Sequence, residues 1–305
     1  MSRSSARGTA EERRVGEVGG IEDTQDPLGS QGAELGRVIV LGAGYAGLAI
    51  ARLARRRGAR VLLSTRSVER AEQLEREGFE VLVAPALDAR FAALVERSDH
   101  VVVCFPPDGL TDAALAPALS GARASTYLST TGVYEGHRGH VDASTPVADH
   151  ASPRVAARLE AERHYLAAGA VVLRCPGIYG PERGLHRRVI EGKHRIPGDG
   201  SRYLSRIHVD DLAALALATP RLRAEVLVIG DLEPAPHGEV VRWIAEQHGV
   251  ELPPSVPLEE VHETLRADRR VDPREALRRL GVTLRYPSYR EGMSIEATRL
   301  AESPR

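Results

Sequence analysis

Residues 37–47 read Arg-Val-Ile-Val-Leu-Gly-Ala-Gly-Tyr-Ala-Gly. An apolar run the length of one strand ends in three glycines spaced G-x-G-x-x-G, and residues 46–57 beyond them carry helical spacing. In that context each glycine has its own physical task. Gly42 permits the tight turn, Gly44 lets the backbone approach a pyrophosphate, and Gly47 lets the helix pack closely on the strand. The amides freed at the helix start, those of Tyr45 and Ala46 among them, then face phosphate oxygens. The pattern predicts a dinucleotide-binding strand–turn–helix unit.

The rest of the chain is consistent with that unit. Short apolar runs recur at 61–63, 81–83, 101–104, 125–128, 171–173 and 226–229, most of them continuous rather than alternating. Continuous runs are expected of strands buried on both faces. Between them lie helix-like stretches at 68–77, 108–119 and 156–168. Such alternation predicts an α/β fold, a doubly wound parallel Rossmann sheet. The regularity weakens after Pro176. Segments 176–207 and 232–300 are rich in Pro, Gly, Arg and His and are expected to form a small C-terminal substrate lobe, with 36–175 and 208–231 as the nucleotide-binding domain. Residues 1–35 lack apolar periodicity and are expected to be a disordered tail. They have no apolar core of a secretory signal, and their acids argue against a transit peptide.

The end of the second strand discriminates between cofactors. An acid there would hold the ribose 2′-hydroxyl of NAD. Here the residues are Ser64, Thr65 and Arg66, whose hydroxyls and guanidinium suit a 2′-phosphate, so NADP(H) is expected rather than NAD. The fourth strand runs into Phe105, Pro106 and Pro107, and the prolines force an extended exit suited to passing beneath the cofactor's ribose.

Composition excludes several alternatives. A net charge of −1 gives no electrostatic footprint for a nucleic-acid partner. No apolar run approaches the roughly 18–20 residues that span a bilayer. The two cysteines, Cys104 and Cys175, lie in apolar runs and read as buried thiols in a reducing cytoplasm. No spacing of His or Cys matches a metal site. Lys193 is the only lysine and asparagine is absent, a codon bias that leaves arginine where lysine is usual.

Four later segments resemble the extended and atypical short-chain dehydrogenase/reductases, in their NAD-dependent epimerase/dehydratase branch. Leu128-Ser-Thr130-Thr-Gly-Val-Tyr134 resembles S-S-x-x-V-Y-G, and Arg174-Cys-Pro176-Gly-Ile-Tyr179-Gly180-Pro181 resembles R-x-x-x-x-Y-G-P. The stretch 198–213 resembles G-D-G…I-H-V-D-D-x-A, and 268–271 with 280–282 resembles the C-terminal lobe. The resemblance implies that Thr130 polarises a substrate oxygen and that Pro176 borders the nicotinamide.

One departure stands against it. The family's acid/base pair is Y-x-x-x-K, and its place here is taken by Arg154 and Arg158. A tyrosine can give and take a proton, whereas an arginine with a pKa above about 12 cannot. Arg158 retains a donor for the nicotinamide ribose. The remaining candidates for moving a proton are Tyr134, Tyr179, His150 and His208, although Tyr134 and Tyr179 read first as pocket wall. Asp210 or Asp211 is expected to cap the helix that follows, and Arg206 to bind an anionic substrate or pair with one of those acids.

The expectation is an NADP(H)-dependent oxidoreductase or epimerase/dehydratase-like enzyme acting on a small polar, sugar-like substrate. Its rival is a non-catalytic NADP-binding sensor or regulator, which the lost Tyr–Lys pair favours. A third reading is an isomerase or lyase with tightly held cofactor. Helices 108–119 and 156–168 are those that relatives use for a homodimer, and their polar faces here decide nothing.

Overall fold

The computed structural model describes residues 36–84, 87 and 89–294. The expected tail, 1–35, and the last part of the expected lobe, 295–300, lie outside the described residues. The chain runs β1 (Arg37–Leu41), α1 (Tyr45–Arg56), β2 (Arg60–Thr65), α2 (Val68–Arg76), β3 (Glu80–Val83), β4 (His100–Val103), α3 (Thr111–Leu115), β5 (Ala124–Thr130), β6 (Arg138–Val141), α4 (Pro153–Ala167) and β7 (Val171–Cys175). It continues through β8 (Gly177–Tyr179), α5 (Leu185–Ile190), β9 (Ile196–Pro197), β10 (Tyr203–Leu204), β11 (Arg206–His208), α6 (Val209–Ala218) and β12 (Val226–Val228). It closes with β13 (Ala235–Pro236), α7 (His237–His248), β14 (Ser255–Val256), β15 (Asp268–Val271), α8 (Arg274–Leu280) and α9 (Tyr289–Gly292).

The main sheet has the order β12-β7-β5-β4-β1-β2-β3, with every pairing parallel. The strand order reverses between β1 and β4, and ligands of such sheets bind in the crevice at that point. The continuous apolar runs have a simple cause. Val38 and Val40 join Ile50, Ala51 and Ala54 of α1 and Leu212 to Ala218 of α6 in one core, whereas Ile39 and Leu41 join Leu115, Ala161 and Tyr165 in a second on the other face. Beyond the two acids of its first turn, helix α6 is apolar all round because it is enclosed by the sheet, α1 and α8. A third core, around Tyr179, Val189, Ile196, Val240, Ile244 and Tyr289, lies outside the main sheet and is built from α5, α7, α9 and short strand pairs.

Two local expectations are corrected. The single helix over 108–119 is instead the short α3 followed by a 3-10 segment, Ala116–Gly121. Pro117 lacks the amide that a continuing α-helix needs, and the Asp108 carboxylate accepts from the Leu110 and Thr111 amides, so the helix starts late. Neither Asp210 nor Asp211 caps α6. The helix begins at Val209, and its cap is His208, whose Nδ1 accepts from the Asp210 amide. Among the described residues no helix is long and apolar enough to cross a membrane.

Candidate functional site

The glycine loop stands at the carboxyl end of β1. Gly42 has φ +101°, and a Cβ there would meet the Phe105 amide at 3.2 Å, so the turn and the exit of β4 fit against each other only without a side chain. A Cβ on Gly47 would overlap the Gly42 carbonyl oxygen. A Cβ on Gly44 would meet nothing within 4 Å. That open face lies at the start of α1, whose cap has no side-chain hydrogen bond and whose first turn carries no acid. The amides of Tyr45, Ala46 and Gly47 have no partner within their own helix, and a diphosphate fits their charge and direction.

The contrast makes a prediction. Gly47→Ala is expected to lower stability by about 1–3 kcal/mol through overpacking and to impair the loop. Gly44→Ala is expected to leave the melting temperature unchanged while weakening nucleotide binding at least tenfold. Thermal denaturation beside calorimetric titration separates the two. A Gly44→Ala protein that binds nucleotide normally would remove the open face from the site.

At the end of β2, Ser64 is committed to the loop: its hydroxyl accepts from the Gly42 amide at 3.0 Å, and its carbonyl from the Ala43 amide. The bond from Gly42 uses one lone pair of that hydroxyl and leaves its proton to donate. The Thr65 hydroxyl accepts from the Ser67 amide and keeps its own proton to donate. Arg66 is exposed and has no ion-pair partner among the described residues.

Thr130 ends β5 half-buried, and its hydroxyl accepts from the Gly132 amide at 3.0 Å, which leaves its proton for another oxygen. Arg158, on α4, donates to the Tyr127 hydroxyl at 2.8 Å and to the Leu128 carbonyl, so it reaches β5 two residues before Thr130. Arg154, one turn earlier, is exposed and pairs with Glu263 at 2.8 Å. Phe105 and Pro106 leave β4 beside the glycine loop, and Pro176 separates β7 from β8.

Two candidate proton carriers are otherwise engaged. Tyr134 is fully buried, accepts from Arg174 at 2.9 Å and donates to the Asp142 carbonyl. Burial raises its pKa, and its hydroxyl has no free direction. His208 is 1% exposed, with its ring tilted 35° against that of Tyr286 and edge-on to Tyr179. Burial pushes its pKa down to about 4, so the ring is neutral at pH 7. With Nδ1 accepting from Asp210, the remaining proton sits on Nε2, which has no partner. Tyr179 is buried with its hydroxyl at the Ser288 carbonyl, and His150 is exposed ahead of α4. Arg206 is buried 4.0 Å from Asp231 rather than beside Asp210 or Asp211. The Asp211 carboxylate instead holds the Arg285 and Tyr286 amides.

Sequence reasoning missed a buried network beneath the site. Glu162 on α4 pairs with Arg174 of β7 at 2.7 Å and accepts from Ser129 of β5. It ties the helix of Arg154 and Arg158 to the strand of Thr130. A polar stripe on a weakly amphipathic helix gave no signal for it. Both cysteines are free, and burial raises both thiols.

Comparison with known proteins agrees with this architecture. The family model described as "Alanine dehydrogenase/PNT, C-terminal domain" matches residues 27–111, the part carrying the glycine loop. No curated protein gave a match. Among solved structures, a conserved protein of unknown function from Silicibacter pomeroyi superposes with a TM-score of 0.75 at 29% identity, covering 87% of this chain and 99% of its own. UDP-glucuronic acid 4-epimerase from Bacillus cereus in complex with NAD has a TM-score of 0.69 at 18% identity, covering 86% and 94%. The human epimerase family protein SDR39U1 with NADPH has 0.66 at 19%, covering 86% and 99%. The chain is an α/β protein with a Rossmann-like fold. More particularly, its fold is the one seen in those two epimerase-type structures.

Proposed function

We propose that the protein binds a nicotinamide dinucleotide, NADP(H) in preference to NAD(H), and uses it in an oxidoreductase or epimerase/dehydratase-like conversion of a small polar, sugar-like substrate. The observation that carries this reading is the division of labour among the glycines: Gly42 and Gly47 are closed by packing and Gly44 is open. In this reading Gly42, Gly44, Tyr45, Ala46 and Gly47 take the pyrophosphate, and Thr65 and Arg66 take the 2′-phosphate. Phe105, Pro106 and Pro176 border the nicotinamide half, Arg158 donates to its ribose, and Thr130 donates to a substrate oxygen. Residues 36–175 and 208–231 form the nucleotide domain, and 176–207 with the region after 232 the substrate lobe. The cofactor supplies hydride transfer, and the chain's residues bind, orient and donate hydrogen bonds.

A second reading, a non-catalytic NADP-binding sensor, is favoured by one set of contacts. Arg154 pairs with Glu263, the Tyr134 hydroxyl is saturated, and the His208 ring is enclosed, so none of these side chains stands ready to move a proton. Consumption of NADPH with a panel of sugar-derived carbonyls and alcohols supports the enzyme, and tight binding without turnover supports the sensor.

The cofactor preference has a direct test. Calorimetric titration of the wild-type protein is expected to give tighter binding of NADPH than of NADH. Arg66→Ala is expected to weaken NADPH about tenfold or more, as loss of a charge-assisted phosphate contact does, and to leave NADH unchanged. Equal losses for both nucleotides would remove Arg66 from the 2′-phosphate site.

A further inference from the structure

We infer that Arg183 is a clamp on the cofactor's pyrophosphate, carried to the glycine loop by the turn that follows β8. The inference rests on the dinucleotide reading above and adds a ligand that the glycine motif does not contain.

The turn is closed by reciprocal backbone bonds, Gly180 amide to Arg183 carbonyl at 2.8 Å and Arg183 amide to Gly180 carbonyl at 3.0 Å. It is docked on the start of α1. A Cβ on Gly180 would overlap the Tyr45 hydroxyl and lie 2.8 Å from Val209, so the turn reaches this depth only because residue 180 has no side chain. Arg183 at its end holds its guanidinium 5.4 Å from the centre of the Tyr45 ring. Tyr45 is the first residue of α1, adjacent to the open face of Gly44.

Arg183 is exposed and has no ion-pair partner among the described residues. Stacking on an aromatic face keeps a guanidinium in place without neutralising it. Two more donors border Gly180, at the start of the same turn. The Tyr45 hydroxyl is shielded from solvent and unpartnered. The unpartnered Nε2–H of the buried His208 lies 3.6 Å from where a Gly180 Cβ would be. Against these stand two carboxylates that face Tyr45, the half-buried Asp210 and the exposed Glu182, and water screens Glu182 the more strongly. The Arg183 guanidinium lies over the ring of the residue that opens α1, next to the open face of Gly44, and a planar cation can take two oxygens of a diphosphate placed there. The clamp also gives the lobe beyond β8 a cofactor contact of its own.

The test uses the full-length protein and four probes: NADPH, NADH, ADP-ribose and 2′-AMP. The first three carry the pyrophosphate and the last does not. Arg183→Gln is expected to weaken NADPH, NADH and ADP-ribose by a common factor of about ten and to leave 2′-AMP unchanged. Arg66→Ala is expected to give the opposite pattern, weakening NADPH and 2′-AMP alone. Arg183→Lys is expected to recover part of the loss, and unchanged thermal denaturation of the variants shows that the turn is still folded. If Arg183→Gln binds every probe within twofold of wild type, the clamp is overturned and the dinucleotide reading stands. If the wild-type protein binds none of the probes, the dinucleotide reading fails and the clamp fails with it.

Discussion

Arg174→Ala is expected to destabilise the protein by about 3–5 kcal/mol, because it strands a buried carboxylate. Glu162 is 2% exposed and Arg174 7%. The guanidinium meets both carboxylate oxygens and also donates to the Tyr134 hydroxyl. Once the arginine is gone, only Ser129 remains to satisfy Glu162. Glu162→Ala is expected to cost a similar amount by stranding the cation. At roughly 2–4 °C per kcal/mol, either change lowers the melting temperature by roughly 10 °C. The double variant Glu162→Leu/Arg174→Met is expected to regain most of the loss, since two matched apolar side chains leave no orphaned charge. Denaturant unfolding of the four proteins checks this. A loss below about 1 kcal/mol in Arg174→Ala would mean that water reaches the pair. Because the network joins α4 to β5, the single variants are also expected to blunt nucleotide binding through the placement of Arg158, and the double variant to restore it.

That network marks where the sequence stops being legible. The sheet could be read because each strand is buried on both faces: Val38 and Val40 feed one core and Ile39 and Leu41 the other, so the run is apolar without gaps. The glycine loop could be read because its geometry is local, within one turn of backbone. Glu162, Ser129 and Arg174 come from three elements, and nothing in the spacing of α4 distinguishes a carboxylate that turns inward from one that meets water. His208 escaped notice as a cap because histidine is not among the usual capping residues, and its ring takes the role here through Nδ1. Arg183 was hidden by number: in a chain with a single lysine and abundant arginine, no one arginine stands out until the turn at Gly180 brings it onto Tyr45. The substitutions at Arg154 and Arg158 are plain in the sequence, but their consequence is not. The structure adds that Arg154 turns to Glu263 and Arg158 turns down to β5, so the two cations that replace the Tyr–Lys pair have separated tasks.

Acid is expected to unfold this protein from pH 6.5 downward, well before its ordinary carboxylates titrate. Five histidines are buried, and burial keeps each neutral in the folded state: the pKa is pushed down to about 3 for His100 and His237 and to about 4 for His186, His194 and His208. In the unfolded chain each takes up a proton near pH 6.5. The stability they contribute is therefore complete above pH 6.5 and is lost as the pH falls toward 4. Three buried carboxylates oppose this. Burial raises Asp231 to about 7 and Asp211 to about 6, and it raises Asp112 as well. These acids bind protons in the folded state before the unfolded one does, which favours the fold on acidification. Five histidine protons against the two taken up by Asp231 and Asp211, with Asp112 narrowing the difference further, leave about two to three protons in excess on the unfolded side, a loss of about 3–4 kcal/mol per pH unit at the steepest point. Urea midpoints at pH 7.5, 6.5, 5.5 and 4.5 read this slope. His100→Gln removes one titrating ring from the network with Thr126 and Thr219, and is expected to lower stability at pH 7.5 while flattening the acid slope by about one proton. A stability that stays level or rises from pH 7.5 to 5.5 would mean that the histidines are protonated in the fold, with water or anions at rings that are enclosed here.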